Sequence, residues 1–573
     1  MASARLFHLP WLVVAALACG ERPSPAVNGG ASGSTGGAFA RQVELVDVTV
    51  ESGLDFVHLS GSEGSYPMPA IMGAGVAVFD VEGDGDLDVY LVNGGDRFPA
   101  DGSPTAVGNA LYRREASGRF VDATREAGLG DRRYGMGTAV GDIDNDGDLD
   151  LFVSNWGRDS LYRNQGDGTF RDVTDRAGVG DELWSASAVF CELDGDGLLD
   201  LFVTRYVDFD PSRECVLEGG RVDYCGPAQL NGLADRVYRN LGEGRFEDIS
   251  RTSGVGRVAE AGLGVVCLDF DGDGRLDVYV ANDGDSNQLW INRGDGTFVD
   301  DAVLVGLANN RHGVAEAGMG LAAGDADGDG DIDLFVSHLI EETNTLYENR
   351  GVAGFDDSTA SSGLGLPSIP FTGFGAAFGD LDNDGDLDLV VVNGAIKRRP
   401  RSLKAGDSGF WGYYAEPNLI FEGLGGGRFA DVTELGAWST VVEVSRGLVA
   451  ADFDRDGDLD LLTTQMEGPV RLWRNDDGNA SAWVEVRLLD PRVSREAPGS
   501  RVIAVVGSRR MLKVASRSQG YLTSGPGGVW FGLGAAERVE AFEVRWPDGF
   551  SEGFPGTPVR RTVTLRRGQG TAL

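Results

Sequence analysis

Residues 135–174 read GMGTAVGDIDNDGDLDLFVSNWGRDSLYRNQGDGTFRDVT. At their centre is a nine-residue acidic loop, D-x-D-x-D-G-x-x-D, whose last Asp opens a strand-like apolar run, DLFVSN. The form recurs seven times: DVEGDGDLD (80–88), DIDNDGDLD (142–150), ELDGDGLLD (192–200), DFDGDGRLD (269–277), DADGDGDID (325–333), DLDNDGDLD (380–388) and DFDRDGDLD (452–460). The starts lie 62, 50, 77, 56, 55 and 72 residues apart, a quasi-regular period that makes each copy one unit of an array.

The spacing within each copy points to calcium. A hard cation takes about six to eight oxygens, and alternate residues of a tight loop point the same way. In the second copy Asp142, Asp144 and Asp146 each offer a side-chain oxygen, Asp148 its backbone carbonyl, and Asp150 both carboxylate oxygens. Gly147 supplies the positive-φ turn. The corresponding sets are Asp80, Glu82, Asp84, Asp86 and Asp88; Glu192, Asp194, Asp196, Leu198 and Asp200; and Asp269, Asp271, Asp273, Arg275 and Asp277. The last three are Asp325, Asp327, Asp329, Asp331 and Asp333; Asp380, Asp382, Asp384, Asp386 and Asp388; and Asp452, Asp454, Asp456, Asp458 and Asp460. Leu198 and Arg275 stand where only the main chain contributes. The expected cofactor is structural Ca2+, up to seven ions. The alternative, a metal-free acidic turn, leaves up to five carboxylates repelling one another within nine residues. An EF-hand needs Glu at loop position 12 and flanking helices, whereas that position holds Leu91, Val153, Val203, Val280, Val336, Val391 and Thr463 inside strand-like runs.

Two further elements travel with the loops. A strand like LYRN occurs seven times, at 111–112, 161–164, 237–240, 289–292, 346–349, 419–421 and 472–475. A turn followed by F-x-D-V-T occurs only six times, at 120–124, 170–174, 246–250, 298–302, 355–359 and 429–433. The missing copy stands at the other end of the array, as VDVT at 46–49. An element moved from the end to the beginning is what ring closure requires, because it removes two open sheet edges. The expected fold is therefore all-β: a seven-bladed calcium-binding β-propeller over 40–478, four strands and about 63 residues per blade, with a small C-terminal β-domain at 479–573. An open solenoid would not need to lend a strand.

The composition agrees. With 50 Lys plus Arg against 89 Asp plus Glu, the 573-residue chain has a formal net charge of −39, which excludes an electrostatic nucleic-acid binder. The seven loops hold 33 of the 89 acidic residues, so most of the excess is ligand chemistry and not a surface for cationic partners. The 87 Gly follow no triplet period and mark turns. Arg5 and the apolar run Leu6–Ala18 have the shape of a signal-peptide core, so residues 1–19 read as a signal segment and the protein as exported. Ala16-Leu17-Ala18-Cys19 reads as a lipobox with lipidation at Cys19, in preference to ordinary cleavage. Residues 20–39 form a Gly/Ser/Pro linker that would hold a folded body off a membrane. The expected location is the bacterial outer membrane or cell surface as a lipoprotein, otherwise the periplasm or the medium.

The quoted stretch closely resembles the FG-GAP or VCBS-type repeat of integrin α-subunit propellers and of many bacterial exported proteins, and Phe374-Gly375-Ala376-Ala377 resembles the FG-GAP signature itself. Trp483, Gly499-x-Arg501-Val502, Arg517 to Tyr521, Phe531 to Gly534 and Val544-x-Trp546-Pro547-x-Gly549 resemble the ASPIC/UnbV domain. Together, and with Phe56-x-His58 and Tyr224 to Pro227, they resemble the cartilage acidic protein-like family across nearly all of the mature chain. That resemblance implies calcium binding and extracellular recognition without an established catalytic mechanism. Glu82 and Glu192 depart from the family's Asp, which weakens the affinity expected there.

The remaining chemistry is sparse. The four His are His8, His58, His312 and His338; no H-E-x-x-H, G-x-S-x-G or P-loop occurs, and the last three His read as structural hydrogen-bonders. Cys215 and Cys225 flank a long insertion and are expected to form a disulfide, while Cys191 and Cys267 read as buried small side chains. Residues 480–573 alternate as a separate β-module, WVEVRLL, RVIAVV, VEAFEVRW and RTVTLRR, with 14 Lys plus Arg against 8 Asp plus Glu. That surplus reads as solvated surface, with docking on the acidic array or binding of an anionic partner as the alternatives. Insertions at 204–234 and 396–417, the latter carrying Phe410, Trp411, Tyr413 and Tyr414, either cap the core or bind a ligand. The favoured function is non-catalytic recognition of a protein or glycan; the alternative is a carbohydrate-active enzyme on a propeller scaffold.

Overall fold

Each repeat folds as a four-stranded antiparallel sheet, with the acidic loop joining its first two strands. In the second repeat these strands are Tyr134–Gly141, Asp150–Trp156, Ser160–Asn164 and Phe170–Asp172. The computed structural model describes residues 43–573 apart from 63, 217–218, 402–403, 405–408, 435 and 494. The signal segment, Cys19 and the 20–39 linker lie outside the described residues.

Among the described residues seven such sheets form, and their first strands pack in a closed cycle. Val76–Phe79 touches Tyr134–Gly141, and contact passes through Ser185–Cys191, Gly262–Leu268, Leu321–Gly324 and Gly373–Gly379 to Ser445–Ala451, which returns to Val76–Phe79. Leu45–Asp47 completes the seventh sheet beside Arg471–Asn475, pairing Leu45 with Asn475 and Asp47 with Trp473. The strand ends at Asp47, and Thr49 already belongs to a helical turn. Asp47 Oδ1 accepts both the Thr49 N–H and its hydroxyl, ending the strand locally. Asp122–Thr124 and Asp172–Thr174 repeat this device, so the expected F-x-D-V-T strand is three residues long.

Glycine lets the first strands meet. A Cβ at Gly320 would stand 1.8 Å from the Phe374 carbonyl oxygen, and one at Gly264 would stand 2.3 Å from that of Met319. Between neighbouring sheets the apolar side chains fill continuous cores: Phe79, Val140, Leu151 and Phe170 share one, the first and third of them fully buried. Burying each such side chain is worth about 1.5–3 kcal/mol.

The C-terminal β-module has a core of its own and packs with the ring as one compact unit, Gln42–Leu573. Two sheets, one built on Ala482–Asp490 and the other on Arg538–Arg545, enclose a core that includes Val484, Phe531, Phe542 and Trp546. Thr523–Ser524 adds a fifth, parallel strand to the first sheet of the ring, against Val76–Ala77. The segment around it fills the axis of the ring. Ser518 Oγ donates to Val265 O (2.7 Å), Leu522 N to Ser187 Oγ (2.9 Å) and Tyr521 OH to Met72 O (2.8 Å). Thr138 N donates to Leu522 O (3.2 Å), and Tyr521 meets Phe374 edge to face.

Cys215–Cys225 is a disulfide as expected, closing a short hairpin. Cys191 and Cys267 are not free small side chains: they also form a disulfide, between the third and fourth sheets, with Cα atoms 6.6 Å apart. They immediately precede equivalent loops of adjacent sheets, which brings them face to face.

Candidate metal centres

Every acidic loop uses its last Asp in the same way. Asp150 is 1% exposed; its Oδ2 accepts the Ile143 N–H (2.9 Å) and its Oδ1 the Asn164 N–H (2.8 Å). The same pair of bonds is made by Asp88 to Val81 and Arg114, Asp200 to Leu193 and Asn240, and Asp277 to Phe270 and Asn292. Asp333, Asp388 and Asp460 repeat it with Ala326 and Asn349, Leu381 and Gly423, and Phe453 and Asn475. This carboxylate ties the loop to the third strand of its own sheet, and each oxygen keeps a second lone pair.

In four loops the first Asp leaves one oxygen unbonded, whereas Asp80 and Asp142 turn both oxygens to the loop backbone. Asp380 Oδ2 accepts the Gly385 N–H at 2.9 Å, and Asp269 and Asp325 make the equivalent bonds to Gly274 and Gly330. Oδ1 of Asp269, Asp325, Asp380 and Asp452 is buried without a hydrogen-bond partner, as is Oδ1 of Asp144. Gly147 holds φ at +97° and Gly385 at +99°, the left-handed turn that folds the loop over these oxygens. Carboxylate oxygens of Asp142, Asp144 and Asp146 lie within 4.8 Å of one another, and so do those of Asp269, Asp271 and Asp273, and of Asp325, Asp327 and Asp329. Asp380, Asp382 and Asp388 gather likewise, as do Glu192, Asp194 and Asp200. Glu192 thus reaches its cluster despite the longer side chain, while Glu82 lies 3.5 Å from the Arg113 guanidinium.

Crowding is written into the acidities. Burial, then repulsion from Asp454 and Asp456, pushes Asp452 up to about 7. Burial, then Asp456 and Asp460, pushes Asp458 up to about 9. Asp142 is raised to about 6 and Asp380 to about 8, both chiefly by burial. Buried, converging carboxylates with orphaned oxygens fit a divalent cation, whose charge would reverse these shifts. Asp84, Asp86, Asp148, Asp194, Asp196, Asp271, Asp329, Asp331, Asp384, Asp386, Asp454 and Asp456 sit on the same loops. Arg275 donates through Nε to Asn292 O at 2.9 Å and pairs with Asp273 of its own loop. Arg163 pairs with Asp144 (2.6 Å) and Asp146 (3.0 Å).

Sequence reading missed two partners of the loops. One is the Asn ending the third strand. Asn292 Nδ2 donates to Leu276 O of its own loop (3.1 Å) and to Leu193 O of the preceding sheet's loop (2.7 Å). Asn164, Asn240 and Asn475 bridge the same way, to Val81, Ile143 and Leu381. Its recurrence in the LYRN strands was the available signal. The other is the basic C-terminal module, which docks on the loops. Arg495 donates to Asn145 Oδ1 (2.8 Å) and Gly197 O (3.1 Å), Arg545 to Gly272 O (3.0 Å), Arg501 to Gly330 O (3.3 Å) and Arg509 to Gly385 O (2.7 Å). Trp530 Nε1 donates to Asn383 Oδ1 at 2.7 Å and its ring stacks on Trp483. Four arginines of the module thus dock on the ring, while Arg538, Arg561 and Arg566 remain exposed as solvated surface. Between them lies a cavity of about 390 Å³, lined among others by Asp452, Arg455, Trp483, Glu485 and Lys513.

The histidines depart from expectation. His58 is 2% exposed, yet neither ring nitrogen has a hydrogen-bond partner among the described residues, and Nδ1 of His338 has none either. Tyr414 is buried and Phe410 and Trp411 pack against the apolar cluster at the ring's other end, so of the insertion's aromatics mainly Tyr413 meets solvent.

Comparison with known proteins agrees with the repeat reading. The FG-GAP-like repeat family matches residues 80–153, 142–203, 220–280, 269–336 and 325–391, and the ASPIC and UnbV family matches 491–572. Cartilage acidic protein 1 of Homo sapiens is 29% identical over 315 residues, 53% of this chain and 43% of that protein. The Xenopus tropicalis protein of the same name is 27% identical over 339 residues, 56% of this chain and 47% of its own length. The chain thus spans less than half the length of these curated relatives. A lectin from Burkholderia pseudomallei superposes with a TM-score of 0.39 at 13% identity, covering 71% of this chain and 96% of its own, too loosely to carry an argument. With FG-GAP-like repeats over about half of its length and an ASPIC and UnbV segment after them, the chain belongs to the FG-GAP-like repeat proteins of the cartilage acidic protein-like family.

Proposed function

We propose that this protein is an exported, non-catalytic recognition protein: a seven-bladed β-propeller whose acidic loops bind up to seven structural Ca2+ ions, presenting a surface to a protein or glycan ligand. The observation that carries the reading is the repeated set of orphaned, buried carboxylate oxygens gathered on loops that also anchor the neighbouring sheet and the C-terminal module. Ca2+ would supply charge neutralisation there; Asp and Glu side chains and the seventh-position carbonyls would hold it. Two disulfides fit an oxidising compartment and therefore export. Acylation at Cys19 would tether the chain to a bacterial outer membrane or cell surface; without it the protein would be periplasmic or secreted.

The test is metal content and thermal unfolding of the purified protein before and after EGTA. The reading expects several Ca2+ per chain and a marked fall in the melting midpoint on chelation, restored by Ca2+ and not by Mg2+. An unchanged melting curve would sink it. A glycan and protein array probed with Ca2+ and with EGTA then identifies the ligand class, and turnover of an acidic polysaccharide would replace the reading with an enzymatic one.

A further inference from the structure

At the end of the ring opposite the acidic loops, a charge is buried without an ion pair in contact, its nearest opposite charge being Glu416, which is bonded elsewhere. Arg446 lies on the first strand of the seventh sheet and is 0% exposed. Its Nε donates to Ile71 O at 2.7 Å and its Nη1 to Ser445 O at 2.7 Å and Gly394 O at 3.2 Å, while its guanidinium lies 3.8 Å from the centre of the Phe374 ring. Nη2 has no hydrogen-bond partner, and no ion pair among the described residues includes Arg446. Buried cations are ordinarily paired, because carbonyls and an aromatic face replace only part of the lost hydration.

Two more unpartnered polar side chains share this end. Tyr224, 1% exposed, comes from the hairpin closed by Cys215–Cys225; its hydroxyl lies beside the Ser62 side chain and donates to no acceptor. His58 is held neutral by burial and by the nearby Arg446 charge, so its ring offers one N–H and one lone pair, neither of them used. Arg446 and His58 meet at the segment 71–73, and the Arg446 charge is felt by both His58 and Tyr224. Ile71 O binds Arg446, Met72 O takes the hydroxyl of Tyr521 beside Phe374, and a Cβ on Gly73 would come within 3.9 Å of His58 Nε2. The surrounding carboxylates are already committed. Glu416 accepts from Thr372 N (2.7 Å) and pairs with Arg399; Glu467 accepts from Ser60 N and Oγ, each at 2.7 Å. Asp223 accepts from the Tyr414 hydroxyl at 2.6 Å, and Asp283 accepts from that of Tyr206.

We propose that this axial end is a binding site for a small oxyanion, held by Arg446 Nη2, the Tyr224 hydroxyl and the ring N–H of His58. The three donors come from three distant parts of the chain and converge on a single need, a negative charge with several acceptor lone pairs. A carboxylate and an inorganic oxyanion both meet it. The site is independent of the calcium loops and stands or falls without them.

The experiment uses the full mature chain with Ca2+ present, exchanged into chloride buffer. Formate, acetate, phosphate and sulfate are titrated by calorimetry at matched ionic strength. Saturable uptake of one anion per chain is expected; binding by formate and acetate identifies a carboxylate site, and binding by phosphate or sulfate an inorganic one. Arg446→Met should abolish uptake, and Tyr224→Phe, which keeps the packed ring, should weaken it about tenfold or more. Circular dichroism checks that each variant is folded, and Tyr224→Phe serves alone if Arg446→Met is not. No saturable uptake by any of the four, equal uptake in a folded variant, or crystallographic density for water alone beside the three groups would overturn the proposal.

Discussion

Replacing Asn292 with Ala removes one side chain and loosens two sheets at once. The residue is 1% exposed and makes three bonds: Nδ2 to Leu193 O at 2.7 Å, Nδ2 to Leu276 O at 3.1 Å, and Oδ1 from Gly294 N at 2.9 Å. Each is worth about 0.5–1.5 kcal/mol net, and the groups left behind are buried and cannot all recover water, so the loss should reach about 2–4 kcal/mol. Asn292→Asp separates the contributions: it keeps the acceptor for Gly294 but loses both donations, and should sit near the upper end because two carbonyls then face a carboxylate. Because Leu193 is the second residue of the third acidic loop, the bond also holds that loop against the fourth sheet. The variant should therefore lose stability in Ca2+ and bind one equivalent of Ca2+ more weakly. Urea unfolding followed by fluorescence, with and without EGTA, measures the first effect, and calorimetric titration of the apo protein the second. A loss below about 0.5 kcal/mol would mean that the carbonyls find other partners, and the interblade clamp would be refuted.

Other expectations follow from the same contacts. Arg495→Met, which removes the bonds to Asn145 and Gly197 at a site 7% exposed, should cost about 2–3 kcal/mol and make the module more susceptible to limited proteolysis in native buffer. Gly520→Ala should displace the axial segment, since φ is +78° and the new Cβ would stand 2.2 Å from Leu321 O; a loss of at least about 2 kcal/mol is expected by thermal unfolding. The disulfides should differ in weight: Cys191–Cys267 closes 76 residues, worth about 4–5 kcal/mol by loop entropy, against about 2.5–3 for the 10 residues of Cys215–Cys225. Paired Cys→Ala variants compared by urea unfolding measure that order.

The acidic loops were legible because their chemistry is local: alternating carboxylates and a glycine within nine residues need no tertiary context. Ring closure was legible from a count, since six F-x-D-V-T elements after the loops and one VDVT before them leave a single solution. The role of the ninth Asp was not, because its two backbone partners stand on separate strands, as Ile143 and Asn164 do for Asp150. The Cys191–Cys267 bridge was within reach, because one Cys precedes its loop by one residue and the other by two, and opposite faces of adjacent sheets meet. The axial segment could not be read: SRSQGYLTSG at 516–525 has neither hydrophobic period nor acidic signature, and its partners are carbonyls and hydroxyls spread around the ring. Arg446 was silent, and for His58 only the Phe56-x-His58 resemblance stood out, since nothing local marks an environment made by the whole circle.

The pairing of Leu45–Asp47 with Arg471–Asn475 has a consequence in time. At roughly 5–20 residues per second, synthesis separates the two partners by tens of seconds, during which the seventh sheet is incomplete and an early strand edge stays open. Thr523–Ser524 arrives later still, so the hub is sealed only after all seven sheets have been synthesised. A chain lacking these late strands would leave the edges of the first and seventh sheets open to pairing with other chains. Closure of the ring thus waits on strands made long after the edge they cover.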